Sequence, residues 1–135
     1  MPMAGRDAAA VRELLRAQDE ELPGIIKELE RGRKQGCWIW YVFPTSRPGM
    51  CDPRNTYVTP STVGQLFEDE ERSQKWGRAL ELVCEQVERA GMDALPSIDH
   101  GRIHWFLKEW KKLGVKDERM LAVLGRLDKY DWPPN

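Results

Sequence analysis

Apolar side chains recur along the chain at the three- and four-residue spacing of amphipathic helices. The first stripe follows Asp7, a residue type that caps helices, and consists of Ala8, Val11, Leu14 and Leu15. A second stripe begins near Glu20 and consists of Leu22, Ile25, Ile26 and Leu29. Pro23 falls in what would be the first turn of this second helix, where proline is tolerated. The pattern therefore predicts two helices before Gly32.

The later part of the chain shows the same periodicity with clearer starts and stops. A short helix is predicted from Thr59-Pro60 through Val63, Leu66 and Phe67. The acidic run 68–71 favours the beginning of the next helix, whose stripe is Trp76, Leu80, Val83, Cys84 and Val87. Gly91 is the predicted stop of that helix. Two more helices are predicted, one from the candidate cap Asp99 to Gly114 and one from about Asp117. Their stripes are Ile103, Phe106, Leu107, Trp110 and Leu113, then Met120, Leu121, Leu124 and Leu127.

One segment departs from this periodicity. Residues 37–44, which we call the aromatic segment, read Cys-Trp-Ile-Trp-Tyr-Val-Phe-Pro and are apolar on every side. Such a run suits a fully buried strand or a turn of buried helix, and periodicity alone does not separate the two. Residues 45–55 contain Pro48-Gly49 and Pro53 and are predicted to form an irregular loop.

Composition narrows the class of protein. A chain of 135 residues with 41% hydrophobic and 32% charged residues suits one globular domain over residues 1–135, and it is too apolar for disorder. The net charge of −1 argues against a general nucleic-acid binder. No apolar stretch is long enough to span a membrane, and the first residues lack the pattern of a secretion signal. Three widely spaced cysteines favour a reducing compartment, so we expect a cytoplasmic protein.

Basic residues lie close to tryptophans in two places. Arg33 and Lys34 precede Trp38 and Trp40, and cations beside aromatic faces suit an anionic planar ligand. The alternative favoured by residue statistics is a solvated helix end with both tryptophans in the core.

The second place is the helix predicted from Asp99. There Trp105 points away from the apolar stripe, toward Lys108 and Lys112, with His104 beside it. If this helix buries both faces, Trp105 instead belongs to the core, which is the commoner environment for tryptophan.

The histidines offer little support for metal chemistry. His100 and His104 are spaced to share one helix face, but Gly101 stands where the metalloprotease helix needs its glutamate. We therefore expect no metal site and no cofactor. Cys37, near two basic residues, is a weak candidate nucleophile, because a histidine partner would have to come from the far end of the chain.

Residues 28–44, from Glu28 to Pro44, resemble the hallmark of the family catalogued as domain of unknown function 1810, which has a mycobacterial member. The shared pattern is a helix ending in Leu-x-x-Gly-Arg-Lys, a short gap, and then Trp-x-Trp-aromatic-x-Phe-Pro. The chain differs from the family at Cys37 and Thr45, where His and Gln are usual, and at Trp105-Phe106, where the family has two serines. The resemblance implies an all-α fold and no assigned activity.

Taken together, we expect a single compact all-α domain of about five to seven helices around an aromatic-rich core.

One functional hypothesis is a domain that binds or processes a small anionic ligand, of nucleotide or ADP-ribose type. Its pocket would form where Arg33, Lys34, Trp38 and Trp40 face Asp99, Arg102 and His104. Asp99 or His104 would be the general base of any hydrolysis, with the basic residues stabilising anionic charge. The alternative is a non-catalytic protein–protein interaction module with an exposed aromatic patch. Whether the chain is an enzyme, and its oligomeric state, stay open.

Overall fold

The computed structural model describes residues 2–32, 36–46 and 54–134. This part of the chain contains α-helices and single turns of 3₁₀-helix, and it contains no β-strand. The α-helices are α1 (Pro2–Glu30), α2 (Ile39–Val42), α3 (Glu70–Ala90), α4 (His100–Leu113) and α5 (Glu118–Leu127). The 3₁₀ turns are Val63–Phe67, Met92–Ala94 and Ser97–Asp99. The expected all-α fold is confirmed. None of the described helices is long and apolar enough to cross a membrane.

Helix α1 replaces the two helices that the sequence predicts before Gly32. Pro23 lies inside it and is exposed, so the helix loses one backbone hydrogen bond, to the carbonyl of Asp19, at a position that water can reach. Leu22 and Ile25 on either side are almost fully buried. Their burial holds the helix together through the proline. Asp7 lies within α1 and is not its cap; its carboxylate accepts a hydrogen bond from the Tyr57 hydroxyl at 2.7 Å.

The predicted starts of α3, in the acidic run 68–71, and of α5, near Asp117, are confirmed, and an aspartate caps each helix. The Asp69 carboxylate accepts from the backbone N–H of Arg72, and the Asp117 carboxylate accepts from that of Met120. Helix α3 ends at Gly91 with φ of 81°, a backbone conformation that favours glycine. The prediction for α4 is wrong in one respect, because the Asp99 side chain makes no cap hydrogen bond and a 3₁₀ turn leads into the helix.

The core is rich in aromatic rings, as expected. Trp76 of α3 and Trp110 of α4 are each 1% exposed, with ring centroids 5.7 Å apart. Phe106 of α4 stacks edge-on against Phe43 at 5.1 Å. Helix α1 packs along α3, and α5 packs against both α3 and α4. The aromatic segment therefore lies between three long helices.

The aromatic segment forms a single helical turn, α2, with irregular backbone on both sides. Four successive carbonyls of the segment accept side-chain N–H groups from three helices. The pairs are Gln18 to Tyr41 at 2.8 Å, Trp76 to Val42 at 2.8 Å, Arg102 to Phe43 at 2.9 Å and Trp110 to Pro44 at 2.8 Å.

This arrangement explains how irregular backbone is accommodated in a core. A buried carbonyl without a donor costs roughly 1–3 kcal/mol, so each of these side chains offsets a substantial penalty. The Thr45 carbonyl continues the series by accepting the backbone N–H of Val58 at 3.1 Å. The segment is thus fixed by the helices that surround it.

Candidate functional site

Four candidate residues lie at three-residue intervals along the beginning and middle of α4. Asp99, Arg102, Trp105 and Lys108, which we call the α4 row, are successive i, i+3 neighbours. Each therefore lies beside the next along the helix surface. The row combines a carboxylate, two cations and an aromatic ring, and each of the four residues was a separate candidate from the sequence.

Asp99 begins the row with an unusually buried carboxylate. The residue is 6% exposed, whereas aspartate is rarely buried to this degree unless its charge is compensated. Its side chain makes no cap hydrogen bond to the first turn of α4. Helix capping, the commonest reason for an aspartate at such a position, therefore does not explain its burial.

Arg102 connects the row to the aromatic segment. Its Nε donates to the Phe43 carbonyl at 2.9 Å, and the residue is half-buried. A guanidinium has five N–H donors, so this hydrogen bond fixes the side chain while other donors serve other partners. Arg102 is held in place on the side of α4 that faces the core.

Trp105 and Lys108 form the accessible end of the row. Trp105 is half-buried, so the core position that residue statistics favour is wrong. Its indole N–H donates to the Pro134 carbonyl at 3.1 Å, and the Lys108 Nζ lies 5.3 Å from the ring centroid. Lys108 is exposed. An aromatic ring with an adjacent ammonium group is therefore present at the surface of α4.

The two histidines serve different segments of backbone. The His104 Nδ1 lies 2.9 Å from the Trp132 carbonyl, next to the contact between Trp105 and Pro134. The buried His100 places its Nε2 at 2.9 Å from the Met92 carbonyl and 3.1 Å from that of Leu95. Among the residues that the structure describes, no three His, Cys, Asp or Glu side chains form a group able to hold a metal ion.

The remaining ligand-binding candidates are dispersed. Trp38 is 3% exposed, and its indole N–H donates to the Glu28 carboxylate at 2.8 Å, so its ring belongs to the core. Trp40 is half-buried and contacts the ring of Tyr41 at 5.7 Å. Arg33 and Lys34 lie outside the described residues. Near the row, Arg102 contacts the aromatic segment at the Phe43 carbonyl.

One carboxylate and one amide, neither of them predicted as a site residue, hold the aromatic segment. The Glu28 carboxylate accepts from Trp38 and from the backbone N–H of Gly36, both at 2.8 Å. Gln18 is fully buried and donates to the Tyr41 carbonyl. Gln18 lies four residues from both Leu14 and Leu22, so a polar residue interrupting an apolar stripe was the available signal.

The cysteines differ in environment. Cys84 is buried in α3, and desolvation raises the pKa of its thiol to about 12, so it is not a nucleophile near neutral pH. Cys37 is exposed. Cys51 lies outside the described residues. The prediction that Cys84 is a small core residue is confirmed.

These features define a small all-α domain with an aromatic core and a row of polar and aromatic groups along one helix. Residues 8–58 match the family described as "Protein of unknown function (DUF1810)". This match supports the family membership that residues 28–44 indicated. No curated protein and no solved structure matches the chain. The matched range contains most of α1 and the whole aromatic segment, whereas the α4 row lies beyond it.

Proposed function

We propose that this domain binds a small anionic ligand of nucleotide type, with an ADP-ribose-like molecule as the best chemical fit. The observation that carries the proposal is the Asp99 carboxylate, which is 6% exposed, does not cap α4, and lies one turn before Arg102. A buried carboxylate beside a guanidinium that is anchored by backbone is typical of a prepared binding site.

Neighbouring members of the α4 row offer a complementary group for each part of such a ligand, which would follow the row around the helix from the buried Asp99 to the exposed Lys108. Carboxylates accept hydrogen bonds from ribose hydroxyls, which suits Asp99. Guanidinium and ammonium groups bind phosphate oxygens, which suits Arg102 and Lys108. The ring of Trp105, whose N–H is engaged with Pro134, would stack a base, and Lys108, which lies over one face of the ring, would contact the phosphate beside it.

A hydrolytic reaction would use the same groups. Asp99 would take a proton from water as the water oxygen bonds to one phosphorus of the ligand's pyrophosphate, and the bond from that phosphorus to the bridging oxygen would break. Arg102 would stabilise the negative charge on the phosphate group that leaves with the bridging oxygen. His104, the other candidate base, lies outside the α4 row, and its Nδ1 is engaged with the Trp132 carbonyl at 2.9 Å. We therefore favour Asp99 for this role and test binding before turnover.

One observation favours the alternative, a protein–protein interaction module. Ile98, directly before Asp99, is 81% exposed. Large apolar side chains exposed one at a time are common on protein surfaces, so this residue alone carries less weight than a buried carboxylate. We therefore place ligand binding first.

The test is calorimetric titration and thermal shift with ADP-ribose, AMP and ribose 5-phosphate. Asp99→Asn removes the charge with little change of shape, and Lys108→Met removes an exposed cation without disturbing the core. We expect each to weaken binding of ADP-ribose by about tenfold or more, the usual loss for a charged hydrogen bond.

Arg89→Met is the matched control, because Arg89 is an exposed arginine on α3, away from the row. It should change affinity by less than about twofold. Circular dichroism checks that every variant is folded. Absence of stabilisation by all three compounds, or equal losses in Lys108→Met and Arg89→Met, would overturn the proposal.

A further inference from the structure

A cavity lies between the first half of α3 and the beginning of α5. Its volume is about 310 Å³, which is at the lower end of the range for small-molecule sites. None of its lining residues belongs to the α4 row. Anything that binds here therefore does so independently of the ligand proposed above.

Part of the wall of this cavity is apolar, beside the polar Ser73 and Gln74. Leu80 of α3 and Met120 and Val123 of α5 contribute buried side chains, and Phe67 contributes a half-buried ring. Such a wall favours the hydrocarbon or aromatic body of a ligand, because burial of apolar surface is favourable by about 25 cal/mol per Å².

Two carboxylates, Glu70 and Asp117, lie at the rim. Asp117 uses one oxygen to accept from the backbone N–H of Met120 at 2.8 Å, and Glu70 accepts from the Gln74 amide at 3.1 Å. A carboxylate has two oxygens and about four acceptor positions, so each group retains capacity for a further donor. Both residues are exposed, and a ligand in the cavity can reach them from solvent.

The cation that lines the cavity is already neutralised. Arg119 donates from Nε and Nη2 to the two oxygens of Glu81, both at 2.9 Å, in a bidentate ion pair. The arrangement depends on Gly77, since a Cβ there would lie 2.7 Å from the Cδ of Arg119. The electrostatic character of the cavity is therefore set by Glu70 and Asp117, with the acidic run 68–71 adding to it.

We propose that this cavity binds a small organic ammonium ion with an apolar body. The apolar wall accommodates the body, and the two rim carboxylates accept hydrogen bonds from the ammonium group and balance its charge. An anionic ligand is disfavoured because it would meet Glu70 and Asp117 with no uncompensated cation among the residues that line the cavity.

The experiment uses three probes of one shape and different charge. Benzylammonium, benzyl alcohol and benzoate are titrated into the ¹⁵N-labelled full chain and followed by NMR. We expect benzylammonium alone to give saturable shifts, centred on residues 70–80 and 117–123, with affinity at least about tenfold above that of the alcohol. Equal binding of the neutral probe, or shifts that do not saturate, would overturn the proposal.

Variants locate the charge that matters. Glu70→Gln and Asp117→Asn each keep the shape, and asparagine keeps the helix cap, so both variants should fold. Each should weaken benzylammonium binding by about three- to tenfold. Glu71→Gln is the matched control, because Glu71 belongs to the same acidic run, pairs with Lys75 and does not line the cavity. If Glu71→Gln lowers the affinity for benzylammonium as much as Glu70→Gln does, the acidic run attracts the cation as a whole and a defined site is refuted.

Discussion

Helix α4 carries two tryptophans that make the same hydrogen bond in opposite surroundings. Trp110 donates its indole N–H to the carbonyl of Pro44 at 2.8 Å, and Trp105 donates to that of Pro134 at 3.1 Å. Trp110 is 1% exposed, whereas Trp105 is half-buried. The first holds the aromatic segment in the core, and the second lies at the surface beside Lys108. The same kind of hydrogen bond therefore stabilises the core at Trp110, whereas at Trp105 it leaves the indole ring accessible.

This difference shows that the segment that resembles the family and the groups accessible to a ligand lie in different parts of the chain. The aromatic segment carries the family resemblance, but its backbone carbonyls are occupied by Gln18, Trp76, Arg102 and Trp110. Much of its distinctive pattern is thus accounted for by packing and hydrogen bonding. Accessible groups lie instead on the α4 row, outside the range that matches the family. Arg102 contacts both regions, since its Nε holds Phe43 while it occupies the second position of the row.

The largest effect is expected for Trp110→Phe. Phenylalanine keeps a ring in the core but leaves the Pro44 carbonyl without its donor and leaves space where the indole was. Together these changes should lower the free energy of unfolding by about 2–4 kcal/mol. Denaturant titration measures the loss. A loss below about 0.5 kcal/mol would show that the hydrogen bonds to the aromatic segment are not important for stability.

The thiol of Cys84 gives an independent measure of the same change. Its burial and raised pKa, to about 12, prevent labelling in the folded state, so labelling reports opening of the core. In a background with Cys37→Ser and Cys51→Ser, Trp110→Phe should accelerate labelling by about thirtyfold or more, as a loss of 2 kcal/mol implies. Labelling unchanged by Trp110→Phe would place Cys84 in a region that opens separately.

An intermediate effect is expected for Arg102→Met. The Phe43 carbonyl loses its donor, but the hydrocarbon chain of methionine replaces that of arginine, so we expect a loss of about 1–2 kcal/mol by denaturant titration. This variant should also weaken ADP-ribose binding, whereas Trp110→Phe should leave binding unchanged under conditions where it is folded. If both variants alter binding equally, the two regions are not separable in the way proposed.

The smallest effect is expected for Trp105→Phe. The Pro134 carbonyl is exposed and can bond to water once the indole is removed, so the loss should stay at or below about 0.5–1 kcal/mol. The thermal unfolding midpoints of Trp105→Phe and Trp110→Phe, measured side by side, provide the comparison. A loss as large as that of Trp110→Phe would mean that the contact with Pro134 is as buried as the contact with Pro44.

Local sequence signals predicted much of the helical framework. Asp69 and Asp117 cap their helices, and Gly91 ends α3, because these effects depend on a few neighbouring residues. The stripe from Trp76 to Val87 is buried as its spacing predicts. Local rules failed at Pro23, where tertiary burial of the flanking residues keeps α1 continuous.

Part of the candidate site was also predictable. Arg102, Trp105 and Lys108 share α4 and Asp99 directly precedes it. Their i, i+3 spacing therefore places each beside the next whatever the remainder of the fold does. Trp38 was assigned to the site because it is aromatic and follows basic residues, yet its partner is Glu28, ten positions earlier. No local rule identifies such a partner, and none predicts the burial of Asp99.

The sequence alone therefore determined the all-α class, most helix ends and the membership of the α4 row, because each rests on interactions within a few residues. Tertiary structure decided which tryptophans lie in the core, which carbonyls of the aromatic segment receive which donors, and which of two like indoles stays accessible. Burial depends on the whole set of packed elements, and a hydrogen bond between Trp110 and Pro44 spans 66 positions of sequence. The sequence around Trp105 and Trp110 is compatible with a buried or an accessible indole at either position. Packing against the other elements buries Trp110 and leaves Trp105 accessible.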